Sequence, residues 1–146
     1  MSGATTDVDG YEVSTDEDLL DLELIHAYLS GQSYWAEGRP LEVVRRSIEN
    51  SLCFGVYWSG AQVGFARVVT DCSTFAWLCD VFVLDEHAGK GVGRMLLEHV
   101  MDHPSLRNLG HFVLATRDAH EFYMRYGGFK PLDAPQKWMI KRSEQG

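Results

Sequence analysis

The stretch that most restricts this chain is VFVLDEHAGKGVGRMLLEHV, residues 81–100, where an apolar run meets three alternating glycines and then a leucine-rich periodicity. Residues 75–84, FAWLCDVFVL, are apolar on both alternations, which predicts a strand covered on both faces. Val92, Met95, Leu96 and Val100 recur at helical spacing, and the helix they predict stops near Pro104. Gly89, Gly91 and Gly93 thus stand at the entry of a helix, where an interior glycine costs about 1 kcal/mol relative to alanine. What that cost secures is backbone N–H groups that can approach an anion closely.

The elements on either side fix the class. Residues 11–14, YEVS, form a short strand candidate. Asp21 is placed to cap a helix with the apolar stripe Leu22, Ile25 and Leu29, which SGQS ends. After the aromatic loop YWAEGRP, Pro40 suits a first helical turn and Leu41, Val44 and Ile48 make a second stripe. LCFGVYW and AQVGFARVVT flank Ser59-Gly60, a tight-hairpin signal. Residues 111–116, HFVLAT, predict another buried strand. Asp118 is placed to cap a short helix bearing Ala119, Phe122, Tyr123 and Tyr126 on one face, ended by Gly127-Gly128. WMI, residues 138–140, predicts a last short strand. A strand, a helix pair, antiparallel strands, a βαβ unit and a final strand make one α/β domain with a mixed sheet over residues 11–146, preceded by a small polar tail, residues 1–10.

Charge and cysteine content exclude several functions. The formal charge is −8 with no basic stripe, which argues against nucleic acid as a partner. An acidic surface favours a cationic substrate only weakly, because it also serves solubility. Cys53, Cys72 and Cys79 cannot all pair within the chain and form no C-x-x-C. The first ten residues lack the basic and apolar regions of a signal peptide, and no stretch has the length of a membrane span. The expectation is a reduced, cytoplasmic protein.

Neither common nucleotide loop fits residues 89–96. A Walker loop needs Ser or Thr after its lysine, and Lys90 is followed by Gly91. A Rossmann fingerprint needs a glycine where Arg94 or Leu96 stands. The stretch instead resembles the acetyl-CoA loop of the GNAT superfamily of N-acetyltransferases, [QR]-x-x-G-x-[GA] at a helix start. Gly91 and Gly93 match the two small positions, Lys90 and Arg94 the usual basic flanks, and Ala88 stands where Gln or Arg is usual. DAHEFYMRYGGF is similar to the family's N-x-x-A-x-x-[LF]-Y-x-x-x-G-F helix, with Asp118 near the Asn position and one extra glycine before Phe129. The likeness spans about residues 11–140, and it is most specific at 81–97 and 116–129.

The resemblance implies a mainly antiparallel GNAT-like sheet flanked by helices, acetyl-CoA as co-substrate and a primary amine of a small molecule or peptide as acceptor. Homodimers are common in such families. It also implies that Ala88, Gly89, Lys90, Gly91, Val92, Gly93 and Arg94 hold the pyrophosphate, with Asp118 beside the coenzyme. Phe82 and Val83 would offer backbone groups to pantetheine, and the Tyr123 hydroxyl would lie by the coenzyme sulfur as general acid. Asp80, a carboxylate in an otherwise apolar run, is either the general base or a structural carboxylate that pairs with an arginine or caps backbone donors. Tyr34, Trp35 and Arg39 either line the acceptor pocket or pack between two helices. With no cysteine in either motif, direct transfer in a ternary complex is expected. His99 and His103 have zinc-pair spacing, but no third ligand is evident, and no metal is expected. The alternatives are a non-catalytic acyl-CoA sensor and, less favoured, a nucleotide-binding module.

Overall fold

Ser59 and Gly60 both hold positive φ, 52° and 83°, as a two-residue hairpin turn requires when its twist matches the strands it joins. In the computed structural model, which describes residues 7–143, this turn joins β2 (Leu52–Trp58) to β3 (Ala61–Thr70). β1 (Tyr11–Ser14) lies antiparallel to β2, and β4 (Phe75–Val83) antiparallel to β3. β5 (His111–Leu114) adds to β4 in parallel, so the five strands lie in chain order. This is the predicted mixed, mainly antiparallel sheet.

Four helices cover it. α1 (Leu22–Gly31) starts where the Asp21 carboxylate accepts from the Leu24 amide at 3.1 Å, the predicted cap. α2 (Leu41–Glu49) follows Pro40, and α3 (Val92–Asp102) follows the glycines. α4 (His120–Gly127) ends at Gly128, whose φ of 73° is the left-handed conformation that terminates helices. α1 and α2 close one sheet face, with Ile25, Leu29, Val44 and Ile48 against Cys53, Phe65 and Phe82. α3 closes the other, with Val92, Met95, Leu96 and Val100 against Phe54, Val56, Val68 and Leu78. Burying side chains of this size contributes roughly 1.5–3 kcal/mol each, so both stripes hold their helices down. Leu41, part of the predicted stripe of α2, is exposed instead.

A bulge in β4 lets one strand serve both cores. Phe65 pairs with Phe82 and Arg67 with Cys79, so Asp80 and Val81 together oppose Ala66. Asp80 has φ of 56°, a conformation that Asp and Asn tolerate better than most residues. Ala76 and Leu78 face α3; past the bulge Phe82 faces α1 and α2, stacked on Tyr28 at 4.0 Å. β4 is therefore not covered on both faces along its length, as Phe75 and Trp77 stay exposed.

Other expectations also change. β5 is shorter than HFVLAT and only half-buried, because it is the edge of the sheet. Residues 138–140 form no strand: Trp138 meets the His111 ring edge-on, while Met139 and Ile140 face solvent. Three apolar residues are too few to hold a ladder on β-propensity alone. Asp118 does not cap α4. Ala119 occupies that position, and its amide donates to Thr116 Oγ1 at 3.1 Å. Residues 1–6 of the predicted tail lie outside the described residues. Residues 7–10 are anchored: the Val8 amide points at Met95 Sδ at 3.3 Å and Asp7 meets His99 at 3.0 Å.

Candidate active site

The parallel pairing of β4 with β5 stops at Leu78 and Leu114. β4 continues to Val83, so on that side its last residues run beside an open gap rather than a strand. A strand edge with unspent backbone groups suits an extended amide-bearing ligand. Phe82 and Val83 lie on this edge. The Phe82 side chain is buried in the α1–α2 core, which leaves its backbone as the part a ligand can reach.

The glycine loop lies directly beyond. A short 3-10 turn, Asp85–His87, carries the chain to Ala88, and Gly89 and Gly91 then hold φ of 76° and 86°. Gly91 is the N-cap of α3 and no side chain caps the helix, so its first-turn N–H groups are left to a ligand or solvent. Together with the positive end of the helix dipole they could hold an anion at Val92, Gly93 and Arg94. Lys90 is exposed beside it. Arg94 points along the helix, donating to Glu98 at 3.1 Å and lying 4.7 Å from the Tyr126 ring centroid. At Gly93 a Cβ would sit 3.6 Å from the Phe122 ring, an ordinary contact, so packing of α3 against α4 does not itself require glycine there.

On the other side of the gap a cleft of about 540 Å³ gathers Tyr34, Trp35, Arg39, Asp80, Asp118 and Tyr123. Asp80 Oδ1 accepts from Trp35 Nε1 at 2.8 Å; its Oδ2 accepts from Arg39 Nη1 at 3.0 Å and Arg67 Nε at 2.8 Å. This is the paired carboxylate of the two readings left open for Asp80. In place of the expected apolar setting, two guanidiniums and an indole N–H surround the carboxylate. Tyr34 accepts from the Arg117 amide at 2.9 Å, and the Arg117 guanidinium lies 3.8 Å from its ring centroid. Asp118 and Arg117 meet at 3.6 Å, both exposed.

Tyr123 projects from α4 into this cleft and into a neighbouring apolar one of about 590 Å³. Burial, with a smaller contribution from Tyr34, pushes its hydroxyl up to about 12, so it keeps its proton at neutral pH. Burial likewise pushes the Cys79 thiol up to about 11, which disfavours the thiolate an acyl carrier needs.

Arg67 is the residue that sequence reasoning missed. A charged side chain inside AQVGFARVVT and another inside FAWLCDVFVL are mutual signals, because adjacent antiparallel strands can bring them together. His99 and His103, at zinc-pair spacing, each have another partner. His99 is paired with Asp7, and His103 Nδ1 accepts from the Ser105 amide. His120 lines only the apolar cleft. Among the described residues, no cluster of His, Cys, Asp and Glu could hold a metal ion, and no helix is long and apolar enough to cross a membrane.

The family model for the acetyltransferase (GNAT) domain matches residues 49–130, from the end of α2 to just past α4. A protein of Gibberella zeae provisionally named an acetyltransferase is 34% identical over 142 residues, covering 80% of this chain and 78% of its own. The chain belongs to the GNAT acetyltransferase family. A Xanthomonas campestris pv. campestris crystal structure, described as a provisional GNAT-family acetyltransferase, is 49% identical with a TM-score of 0.91. It covers 95% of this chain and 97% of its own. A provisional acetyltransferase from Deinococcus radiodurans R1 shares the fold at 19% identity, TM-score 0.71, covering 94% and 92%. For a GNAT protein, the open edge of β4 and the glycine-capped α3 lie at the heart of the matched region.

Proposed function

We propose that this protein transfers an acetyl group from acetyl-CoA to a primary amine of a small molecule or peptide, by direct attack in a ternary complex. One observation carries the reading: the unpaired edge of β4 runs from a cleft containing Tyr123 to an uncapped helix N-terminus built on left-handed glycines. An extended amide arm with a pyrophosphate at one end and a thioester at the other fits that path. Acetyl-CoA supplies the activated acetyl group. The Ala88–Arg94 amides and Lys90 take the phosphates, and the backbone at Phe82 and Val83 takes the pantetheine amides.

The acceptor nitrogen attacks the thioester carbon, a C–N bond forms and the C–S bond breaks. Tyr123 donates a hydrogen bond, and then its proton, to the departing sulfur, and it regains a proton, through water, from the one the nitrogen gives up as the amide forms. Asp80, with three donors on its carboxylate, is better suited to orient Trp35 and Arg39 than to accept a proton. The ammonium proton leaves instead through water at the cleft mouth. The test is thiol release from acetyl-CoA with a panel of amines. Protection by acetyl-CoA in a thermal shift, with no thiol released by any amine, would assign the chain to the acyl-CoA sensors instead.

A further inference from the structure

The acceptor cleft carries the opposite charge to the protein around it. The chain has a formal charge of −8, yet the cleft is lined by three guanidiniums, Arg39, Arg67 and Arg117, and two carboxylates, Asp80 and Asp118. Arg117 and Asp118 offset each other at the exposed rim. Deeper in, Arg39 and Arg67 share the single carboxylate of Asp80, leaving one positive charge in excess in a partly desolvated place. Within the cleft and its floor, burial holds the thiols of Cys79 and Cys53 and the hydroxyls of Tyr28 and Tyr123 in their protonated forms; the carboxylates that reach them from outside the lining are Asp85, toward Tyr28, and Glu17, toward Cys53.

The excess is also directional. Asp80 keeps 1% of its side-chain surface and Arg67 13%, whereas Arg39 keeps 23%. Arg67 spends its Nε on Asp80 and its Nη1 on Ser51. Among the described residues Arg39 donates through Nη1 alone, and it lines the cleft with 23% of its side chain exposed, which leaves donors on its planar fork for a ligand. A guanidinium in that position pairs bidentately with a carboxylate, and more strongly than in water. Beside it the rings of Tyr34 and Trp35, edge to face at 5.1 Å, offer an apolar wall.

We propose, resting on the acetyltransferase reading, that the acceptor is an amino-carboxylate: an amine whose own carboxylate docks on Arg39 while its apolar body lies against Tyr34 and Trp35. The same charge works against polyamines, which would bring further cations to a site already positive. A peptide N-terminus, with no carboxylate close to its amine, leaves Arg39 with only its share of Asp80.

The test compares matched acceptors with acetyl-CoA: each common amino acid against its decarboxylated amine and its carboxamide, with spermidine and a tetrapeptide alongside. At least one amino acid should exceed both of its partners by about tenfold or more in kcat/KM, the scale of one charged hydrogen-bonded pair. Arg39→Gln should erase that preference while acetyl-CoA still raises the melting temperature, and Arg39→Lys should restore part of it. Equal or better turnover of the decarboxylated amines, spermidine or the peptide overturns the inference, as does a preference that survives in Arg39→Gln. Should Arg39→Gln not fold, the wild-type comparison decides alone. If no amine releases thiol, the transferase reading fails separately. The same matched set is then read by thermal shift: protection by an amino acid but not by its partners upholds the inference, and equal or absent protection overturns it.

Discussion

The indole N–H of Trp35 donates to Asp80 Oδ1 at 2.8 Å, tying the loop between α1 and α2 to the bulge of β4 across 45 residues of sequence. With Arg39 and Arg67 on the other oxygen, Asp80 becomes the point where the loop between α1 and α2 is held against the sheet.

Removing that charge should cost stability before it costs chemistry. Asp80→Asn keeps a residue that tolerates the positive φ, so backbone strain does not confuse the result. It leaves two guanidiniums without their carboxylate. Breaking a buried pair by removing one partner costs about 3–5 kcal/mol, and the melting temperature should fall by about 10 °C. Turnover per folded molecule, measured well below that temperature, should then show altered KM for the amine and little rescue at alkaline pH. A loss of kcat restored by alkaline pH, with stability intact, would instead make Asp80 the base.

Tyr123→Phe keeps the ring between Phe122 and Phe129 and removes only the hydroxyl. If Tyr123 protonates the leaving thiolate, kcat should fall about 10²-fold or more while acetyl-CoA affinity changes little. Single-turnover thiol release isolates the chemical step. An unchanged rate there would leave Tyr123 a packing residue.

What could be read from the sequence was local. The glycine loop announces itself because its conformation is set by its own residues, and the hairpin at Ser59-Gly60 for the same reason. Asp80 was visible as an anomaly, but its partners were not: Arg67 sits thirteen residues away on another strand and Arg39 on a loop before α2. The bulge that turns Asp80 toward them comes from how β4 pairs with β3, and its one local mark, the Asp that takes the positive φ, does not say which residues it will meet. WMI misled because it has strand composition without a neighbour to pair with. Asp118 misled because helix capping needs one register: the cap position falls on Ala119, one residue later, whose amide donates to Thr116 Oγ1.

Alkaline pH should destabilise the fold. Burial raises Cys53 from an ordinary value of 9.0 to about 12 and Cys79 to about 11, and it raises Tyr57 and Tyr123 from 10.0 to about 12. Between those limits the unfolded chain has released protons that the folded one still holds. Stability is therefore fully present below pH 9 and declines as pH rises through 9 to 12, by up to about 1.4 kcal/mol per pH unit for each such group. Urea midpoints from pH 7 to 11 measure it. Cys53→Ala should shallow the decline, and an unchanged slope in that variant would take Cys53 out of the account.

The glycine loop offers the sharpest separation of fold from function. Gly91 has φ of 86°, where an L side chain costs roughly 1–2 kcal/mol, and a Cβ there would meet Val8 Cγ2 at 3.6 Å, an ordinary contact. Gly91→Ala should therefore lower stability modestly while the α3 amides stay in place for an anion. Gly91→Asp adds a negative charge at the N-cap. The free helix gains from it, since Asp is a good cap and its charge suits the dipole. A phosphate at the same amides loses twice, to repulsion and to donors already taken. The two variants should thus diverge: Ala melts somewhat lower but is still protected by acetyl-CoA, whereas Asp melts near or above Ala and is not protected. Thermal shift with and without acetyl-CoA reads both quantities in one experiment. Equal protection of Gly91→Asp and wild type would remove the α3 N-terminus from the coenzyme site.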